Sequence, residues 1–492
     1  MVSSQLVMQI PILSGTYGDA NLDFRQAYPF NMEPVAMDNG ISKGYLRPCD
    51  GIVAFSFPAL GSALLGDKGM INWRDNLYRI FLNTLYYVAP NGVHSLIYTT
   101  GSVPNPPQSS FTYSFSHLAF ILDAKLFYYD GSIITGLNNY TGVVTDVVWI
   151  DGYFVFTDGT FLIITDLNDR QNVNPLKYGS AELDPDSIVG VLKLRNELWA
   201  VGRYTMEILR NTGGSNFPFT RINGAQITRG AVTKRAACVF TTNTLAGVAF
   251  VGSGRNEPLS VWFALNGQTE KISTREIDLR LQALPETAYA NVIIESRIDK
   301  DRALLYIHIA NILGFSLVYD ATASNVAGSP VWFYVKSEND NYRAYNMTWC
   351  YDKWICADPV ISNLGFLSSS TMHHYDKSIE WSFSTQIVYN ESRGAIFHEI
   401  ELVSLAKETP SAMPINATPS VGTDYSNDGG LTYSTLVVRP IYNKANATKK
   451  NIKLVWLQQG TMQNFRLQRF RGASDGPLTV TRLEARIEPL TV

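Results

Sequence analysis

Residues 145–167 read TDVVWIDGYFVFTDGTFLIITDL, three apolar runs of strand length separated only by Asp151-Gly152 and Asp158-Gly159. Asp-Gly between strand-like runs favours a type I′ turn, which needs positive φ at both central residues and matches the twist of the strands it joins. Asp130-Gly131 repeats the signal after KLFYYD (125–130). A chain built this way meanders, each strand pairing with its sequence neighbour. Similar short runs recur at NTLYYV (83–88), ELWAVG (197–202), LAGVAFVG (245–252), ALLYIHI (303–309) and KWICAD (353–358). Their spacing clusters near ~45 residues, the length of one four-stranded propeller blade. One blade cannot bury both of its faces alone, whereas blades stacked around an axis bury them against each other. The expected architecture is all-β: a six- or seven-bladed β-propeller over 51–377, with residues 1–50 an N-terminal extended segment leading into it. The alternative is a set of unrelated sandwiches.

Helix signals are sparse. The clearest is STREIDLRLQAL (273–284), in which Ser273 and Glu276 have capping-box spacing and Ile277, Leu281 and Leu284 share one face. Past residue 378 the pattern changes to six longer strand-like runs, from WSFSTQIVY to LTVTRLEARIE, which fits a separate β-sandwich-like domain over 378–492. The span 408–430, rich in Pro, Ser, Thr, Gly and Asn, reads as a loop.

Bulk properties exclude several classes. With 46% apolar and 17% charged residues the chain is globular, not disordered, and its 492 residues suit two or three domains. A net charge of −3 gives no bulk signal for nucleic acid. No window reaches the ~18 consecutive apolar residues of a spanning helix, and the N-terminus lacks a signal-peptide pattern. The four cysteines, Cys49, Cys238, Cys350 and Cys356, have no C-x-x-C spacing and read as reduced thiols.

Four motifs bear on chemistry. Ser426-Asn-Asp-Gly-Gly-Leu-Thr-Tyr433 is close to the Asp-box, S-x-D-x-G-x-T-W. In it Asp428 accepts from turn N–H groups, Gly430 supplies an unusual backbone angle, and Ser426, Thr432 and Tyr433 complete a self-satisfied hairpin with no catalytic part. Tyr78-Arg79-Ile80-Phe81 is near the Y-R-I-P of sialidases, where the Arg grips a carboxylate; the simpler reading is a strand with a solvent-facing Arg. His373-His374 could ligate a metal, but neighbours on a strand face opposite ways, so no metal site is expected. Between Gly429 and Ser474 there are eight basic residues and no acidic one: Arg439, Lys444, Lys449, Lys450, Lys453, Arg466, Arg469 and Arg471. Interleaved with Tyr442, Trp456 and Phe465, they could meet DNA phosphates or a protein partner, or form a solvated face.

The segment 161–236 is more specific. ITDL at 164–167, SAELDPDSIVG at 180–190 and RNELWAVGRYTMEILRNTGGSNFPFTRINGAQITRG at 195–230 resemble the hub proteins of short-tailed bacteriophages, the packaged-DNA stabilisation or tail accessory family. YPFNMEP (28–34), SKGYLRPCDGI (42–52), KISTREIDLRLQ, VWLQQGTMQNFRLQRF and TRLEARIE extend the likeness over nearly the whole chain; Asp50 stands where that family usually has Pro. The family carries the same single Asp-box without being sialidases. The resemblance implies a virion tail protein made in the host bacterial cytoplasm, without enzymatic activity or cofactor. It implies a homo-hexameric ring below the portal–adaptor that extends the DNA channel, retains packaged double-stranded DNA, contacts a needle or plug protein, and docks spikes or fibres. The alternative is a glycan-binding or glycan-cleaving propeller that acts on host surface sugars through Arg79.

Overall fold

The computed structural model describes residues 6–10, 12, 28–36, 44–101, 108–181, 184–214, 216–338, 341–385, 387–390, 393–405, 420–443, 446–450, 453–473 and 478–490. The chain divides into two units. One comprises Met1–Val53, Gly314–Tyr342 and Leu367–Val492; the other comprises Ala54–Leu313 and Arg343–Phe366.

The second unit is the propeller. Its innermost strands are Asp67–Trp73, Phe111–Tyr113, Asp146–Ile150, Ile188–Leu194, Ala237–Thr241, Val292–Asp299 and Tyr345–Cys350. Each touches the next and the last touches the first, so the ring closes with seven blades. The first blade is a plain meander, Asp67–Trp73, Asn76–Phe81, Thr84–Val88 and His94–Thr99 in that order, and the next three repeat it. In the fifth, Gly230–Ala231 and Ala237–Thr241 both pair with Ala246–Ser253.

The blades are held by their side faces. In Tyr153–Thr157, Phe154 and Phe156 pack toward the second blade with Ala119, Ile121 and Tyr128, while Val155 packs toward the fourth with Leu198 and Ala200. A strand buried on both faces needs apolar residues at every position, which is why these runs do not alternate. Tyr128 meets Phe154 edge-on, with ring centroids 4.9 Å apart. Each such fully buried side chain contributes about 1.5–3 kcal/mol.

The hairpins explain the turn signals, with one correction. Asp151 and Gly152 both have positive φ (50° and 86°), as a type I′ turn requires. Asp158 and Asp130 do not have positive φ. Each instead uses its Oδ1 to accept from the two N–H groups that follow the glycine, at 2.8 Å. Paired positive φ values also occur at Arg74-Asp75, Asp123-Ala124, Lys300-Asp301 and Tyr351-Asp352, where no glycine marks the turn.

The helix signal at 273–284 corresponds to Arg275–Gln282, with Ile277, Leu281 and Leu284 buried. Its N-cap is Thr274 rather than Ser273. Ser273 instead donates to Asp278 Oδ1 at 2.5 Å and accepts from the Val261 N–H at 3.0 Å.

Within the first unit, Ser316–Asp320 and Val331–Val335 pair with each other around the helix Ala321–Ala327, and the remaining strands build a two-sheet sandwich. One sheet runs Met32–Val35, Tyr45–Pro48, Thr479–Pro489, Ala395–Leu405, Lys453–Leu457, and Leu6–Ile10 also pairs with Thr479–Pro489. The described N-terminal strands therefore belong to the sandwich sheet, where the sequence pattern suggests a lead-in to the propeller. The other sheet runs Glu380–Ser384, Phe465–Ala473, Ser420–Ser426, Val437–Pro440. Ser420–Ser426 lies inside the span read as a loop. Its Val421 and Thr423 are buried, and Gly422 leaves the room that Leu436 fills. Trp381, Phe383, Phe397, Trp456 and Phe470 form the core, with Phe383 and Phe470 stacked at 5.1 Å.

Candidate functional site

The Asp-box hairpin follows the strand Ser420–Ser426. Asp428 accepts from the Leu431 N–H (3.0 Å), the Thr432 N–H (2.9 Å) and the Ser426 hydroxyl (2.6 Å), and also bonds the Thr432 hydroxyl. The Gly430 N–H donates to Ser426 Oγ at 2.7 Å, and Gly430 has φ 93°, which a side chain would strain. These bonds to the ionised carboxylate, led by those from Ser426 and Thr432, hold Asp428 well below the usual carboxylate range. Tyr433 lies under the Arg469 guanidinium, 3.4 Å from its ring centroid. The polar groups of the box are thus used on the box itself or its neighbour strand.

The basic stretch does not form one free cationic face. Arg466 is fully buried between Phe397 (4.2 Å) and Tyr425 (3.7 Å), and its nitrogens donate to Gln468 Oε1 and the Gln459 carbonyl. Burial pulls its guanidinium down to about 9. It leaves the set of candidate phosphate contacts, because a sealed side chain cannot reach a ligand. Arg469 and Arg471 both pair with buried Asp424, at 2.8 and 2.7 Å. Lys453 pairs with Glu401. Arg439 is exposed and donates to the Val455 and Val438 carbonyls at 3.2 and 3.3 Å. Lys444 lies outside the described residues, and Lys449 and Lys450 are described in backbone only. Strand alternation and cross-strand carboxylates on neighbours distant in sequence consume the charge that a one-dimensional count shows.

His374 is buried, its Nδ1 2.6 Å from Ser337 Oγ, and among the described residues no cluster of three metal-ligating side chains exists. Arg79 overturns the solvent-facing reading: its side chain is 0% exposed. Its Nε lies 2.5 Å from Asp67 Oδ2 and one terminal nitrogen donates to the Ser362 carbonyl at 2.8 Å. Asp67 also accepts from Asn346 Nδ2 (2.7 Å) and the Gly69 N–H (3.2 Å). Asn346 is itself buried, at 6% exposed, so the N-x-T pattern Asn346-Met-Thr348 presents no surface for modification. Burial, then the adjacent Arg79 charge, pulls His94 down to about 4, so it is neutral beside that arginine.

Beside this network the propeller axis holds a cavity of about 740 Å3, lined by the innermost strands of the first five blades. Met70, Phe111, Val147, Val191 and Val239 form its walls, Lys234, Arg235 and Asp146 lie at the strand starts, and Arg74, Phe115, Trp149 and Lys193 lie at the strand ends. The sequence motifs do not reveal it. The available signal is Lys234-Arg235, two adjacent charges inside the apolar run GAVTKRAACVF.

Of the residues that carry the phage resemblance, those between Asp184 and Arg221 build and lock the fourth blade. Asp186 accepts from the N–H groups of Tyr204 (2.5 Å) and Thr205 (2.9 Å), Asp184 pairs with Arg255 at 2.9 Å, and Glu207 pairs with Arg221 at 2.6 Å. Asn211 accepts from the Gly213 N–H at 3.0 Å at the start of the NTGG turn. These are turn and strand fasteners. A family model described as bacteriophage P22 Gp10, beta-propeller, matches residues 8–372, and a second, described as bacteriophage P22 Gp10, beta-sandwich, matches residues 380–488.

The chain belongs to the bacteriophage P22 Gp10 family. This Gp10-family chain is a structural protein of a phage tail rather than an enzyme, and its fold is a β-propeller joined to a β-sandwich. No sequence match is found among curated proteins. Solved structures similar to the Gp10-family chain include PorZ of Porphyromonas gingivalis, at 12% identity and TM-score 0.38, with 62% of this chain and 37% of PorZ covered. A catalytically inactive virginiamycin B lyase from Staphylococcus aureus matches at 11% identity and TM-score 0.39, covering 68% of this chain and 98% of the lyase. The N-terminal domain of Nup159 matches at 8% and 0.40, covering 65% and 95%. At these scores the three carry no argument about what the Gp10-family chain does.

Proposed function

We propose that this protein is the hub, or nozzle, of a short phage tail. Six copies form a ring below the portal–adaptor, extend the DNA channel, help retain the packaged duplex, meet a needle or plug, and dock spikes or fibres. The observation that carries the reading is family membership over both domains. The propeller's own axis adds a constraint. Seven innermost strands close against one another, and the cavity of about 740 Å3 between five of them is of small-molecule size rather than of a size to pass a duplex. A duplex cannot thread one subunit, so a DNA path needs several copies around it, each presenting one surface to a neighbour and a different one to the next. Four of the eight basic residues of the C-terminal stretch, Arg466, Arg469, Arg471 and Lys453, are engaged within the chain, which weakens its grip on phosphates and suits a wall past which DNA must slide.

The test is a DNA-retention assay. Filled heads carrying the adaptor but lacking this protein are incubated with purified chain and nuclease. Restored protection of the packaged DNA is the expected result. Heads that hold DNA equally well without the chain would overturn the reading. The glycan alternative loses its anchor, because Arg79 is sealed beside Asp67.

A further inference from the structure

The axial cavity has a chemistry that the tail role does not use. Four cations line it: Arg74 and Lys193 at the strand ends, Lys234 and Arg235 at the strand starts. Their hydrogen bonds among the described residues go to neutral acceptors, while Arg235 also feels the charges of Glu295, Asp67 and Asp146, and Lys234 that of Asp146. Lys234 Nζ donates to Ser110 Oγ (3.1 Å) and the Thr145 carbonyl (2.7 Å), and Arg235 bonds the Asn346 side-chain oxygen. Arg74 donates to the Phe115 and Ser116 carbonyls at 3.2 and 3.3 Å, and Lys193 sits over the Trp149 ring at 5.1 Å. The one lining carboxylate, Asp146, has both oxygens engaged by backbone N–H groups, those of Val147 at 3.0 Å and Val191 at 2.8 Å. Asp67 is held by Arg79 and Glu295 faces His308, so the four lining cations outnumber the carboxylates near them and leave an excess of positive charge inside apolar walls, where charge acts more strongly than in water.

The aromatic residues at the strand ends are placed to cover a ligand. Phe115 meets Trp149 edge-on at 5.4 Å and is 90% exposed, while Arg74 stacks on Trp73 at 4.4 Å. The volume lies within the roughly 300–1,000 Å3 of small-molecule sites, which are mostly apolar with a few converging polar groups. We propose that this cavity binds a small organic anion, a carboxylate or phosphate ester on a flat or apolar body. The anionic group lies against Lys234 and Arg235, and the body lies between the apolar walls and Trp149. A neutral ligand would leave that excess charge uncompensated, and an inorganic anion alone would leave the walls wet.

The test uses the full chain and phenyl phosphate as probe, followed by tryptophan fluorescence and calorimetry. Inorganic phosphate and benzyl alcohol serve as the charge-only and body-only arms. Saturable one-to-one binding of phenyl phosphate is expected, at least ~10-fold tighter than either arm. Lys234→Gln, checked for an unchanged thermal transition, should weaken it by ~10-fold or more, and the strand-end double variant Arg74→Gln/Lys193→Gln should weaken it less. Trp149→Leu should weaken phenyl phosphate while leaving inorganic phosphate unchanged. Absence of saturation at ~10 mM probe would overturn the proposal, and so would binding that Lys234→Gln leaves unaltered. Arg235→Gln gives the same strand-start readout should Lys234→Gln fail to fold, and Trp149→Leu tests the body in either case.

Discussion

Replacing Arg79 with methionine separates a structural arginine from a ligand-gripping one. The side chain is sealed, its Nε is 2.5 Å from Asp67 Oδ2, and Asp67 is itself 2% exposed. Methionine fills much of the volume but leaves Asp67 with only Asn346 Nδ2 and the Gly69 N–H as donors. Breaking one side of a buried pair costs about 3–5 kcal/mol, because the remaining charge stays desolvated. For a unit of this size each kcal/mol is worth ~2–4 °C, so the propeller transition should fall by on the order of 10 °C in scanning calorimetry. The loss has a pH sign. Burial raises Asp67 above its ordinary value even with Arg79 present, and removing the cation raises it further. A raised folded-state carboxyl is favoured as pH falls through its folded value, so Arg79→Met should be less damaged at pH 5 than at pH 8. Adding Asp67→Asn should recover part of the loss, since the amide keeps hydrogen bonds without the charge. A shift under ~2 °C, or a double variant worse than the sum of the singles, would refute the reasoning.

Other perturbations have equally definite outcomes. Asp428→Ala should speed amide exchange at Leu431 and Thr432. In the unaltered protein that protection should persist below the ordinary aspartate range, because the folded carboxyl is depressed and its contribution fades only as pH falls through the lower value. Asp424→Ala should cost about 3 kcal/mol in denaturant unfolding of the sandwich, while Arg471→Ala should cost about 1 kcal/mol or less, since Arg469 still holds the carboxylate. His94 is held near 4 against an ordinary 6.5, so its neutral form supports the fold above 6.5 and that support is lost as pH falls toward 4. His94→Gln should therefore flatten the fall of thermal stability over that window. Lys234, drawn down by burial to about 8 with Asp146 and Arg235 facing it, should make phenyl phosphate binding weaken as pH rises past that value.

The propeller is legible in the sequence because its strands are buried on both faces by sequence neighbours, which leaves unbroken apolar runs between tight turns. The blade number is not, since Arg74-Asp75, Asp123-Ala124 and Tyr351-Asp352 make the same left-handed turn as Asp151-Gly152 without a glycine to mark it. The sandwich is half legible. Ser420–Ser426 is hidden among small residues, because Gly422 is chosen by the Leu436 side chain above it, a contact between distant positions. Charge is the least legible quantity. Eight basic residues in a row of strands look like a surface, yet Arg466 is sealed between two rings and Asp424 takes two of the others. The axial cavity gathers residues from five blades, so no local window contains it.

The central claim is that copies of this chain ring the DNA path of a short tail. Its most direct test is a six-fold averaged electron-microscopy map of the purified virus particle with the chain carrying a C-terminal tag. The account expects six tags in a ring on the distal tail tube, with a seven-bladed propeller and a sandwich fitting each density segment. Tags on peripheral fibres, or a particle without them, would contradict it.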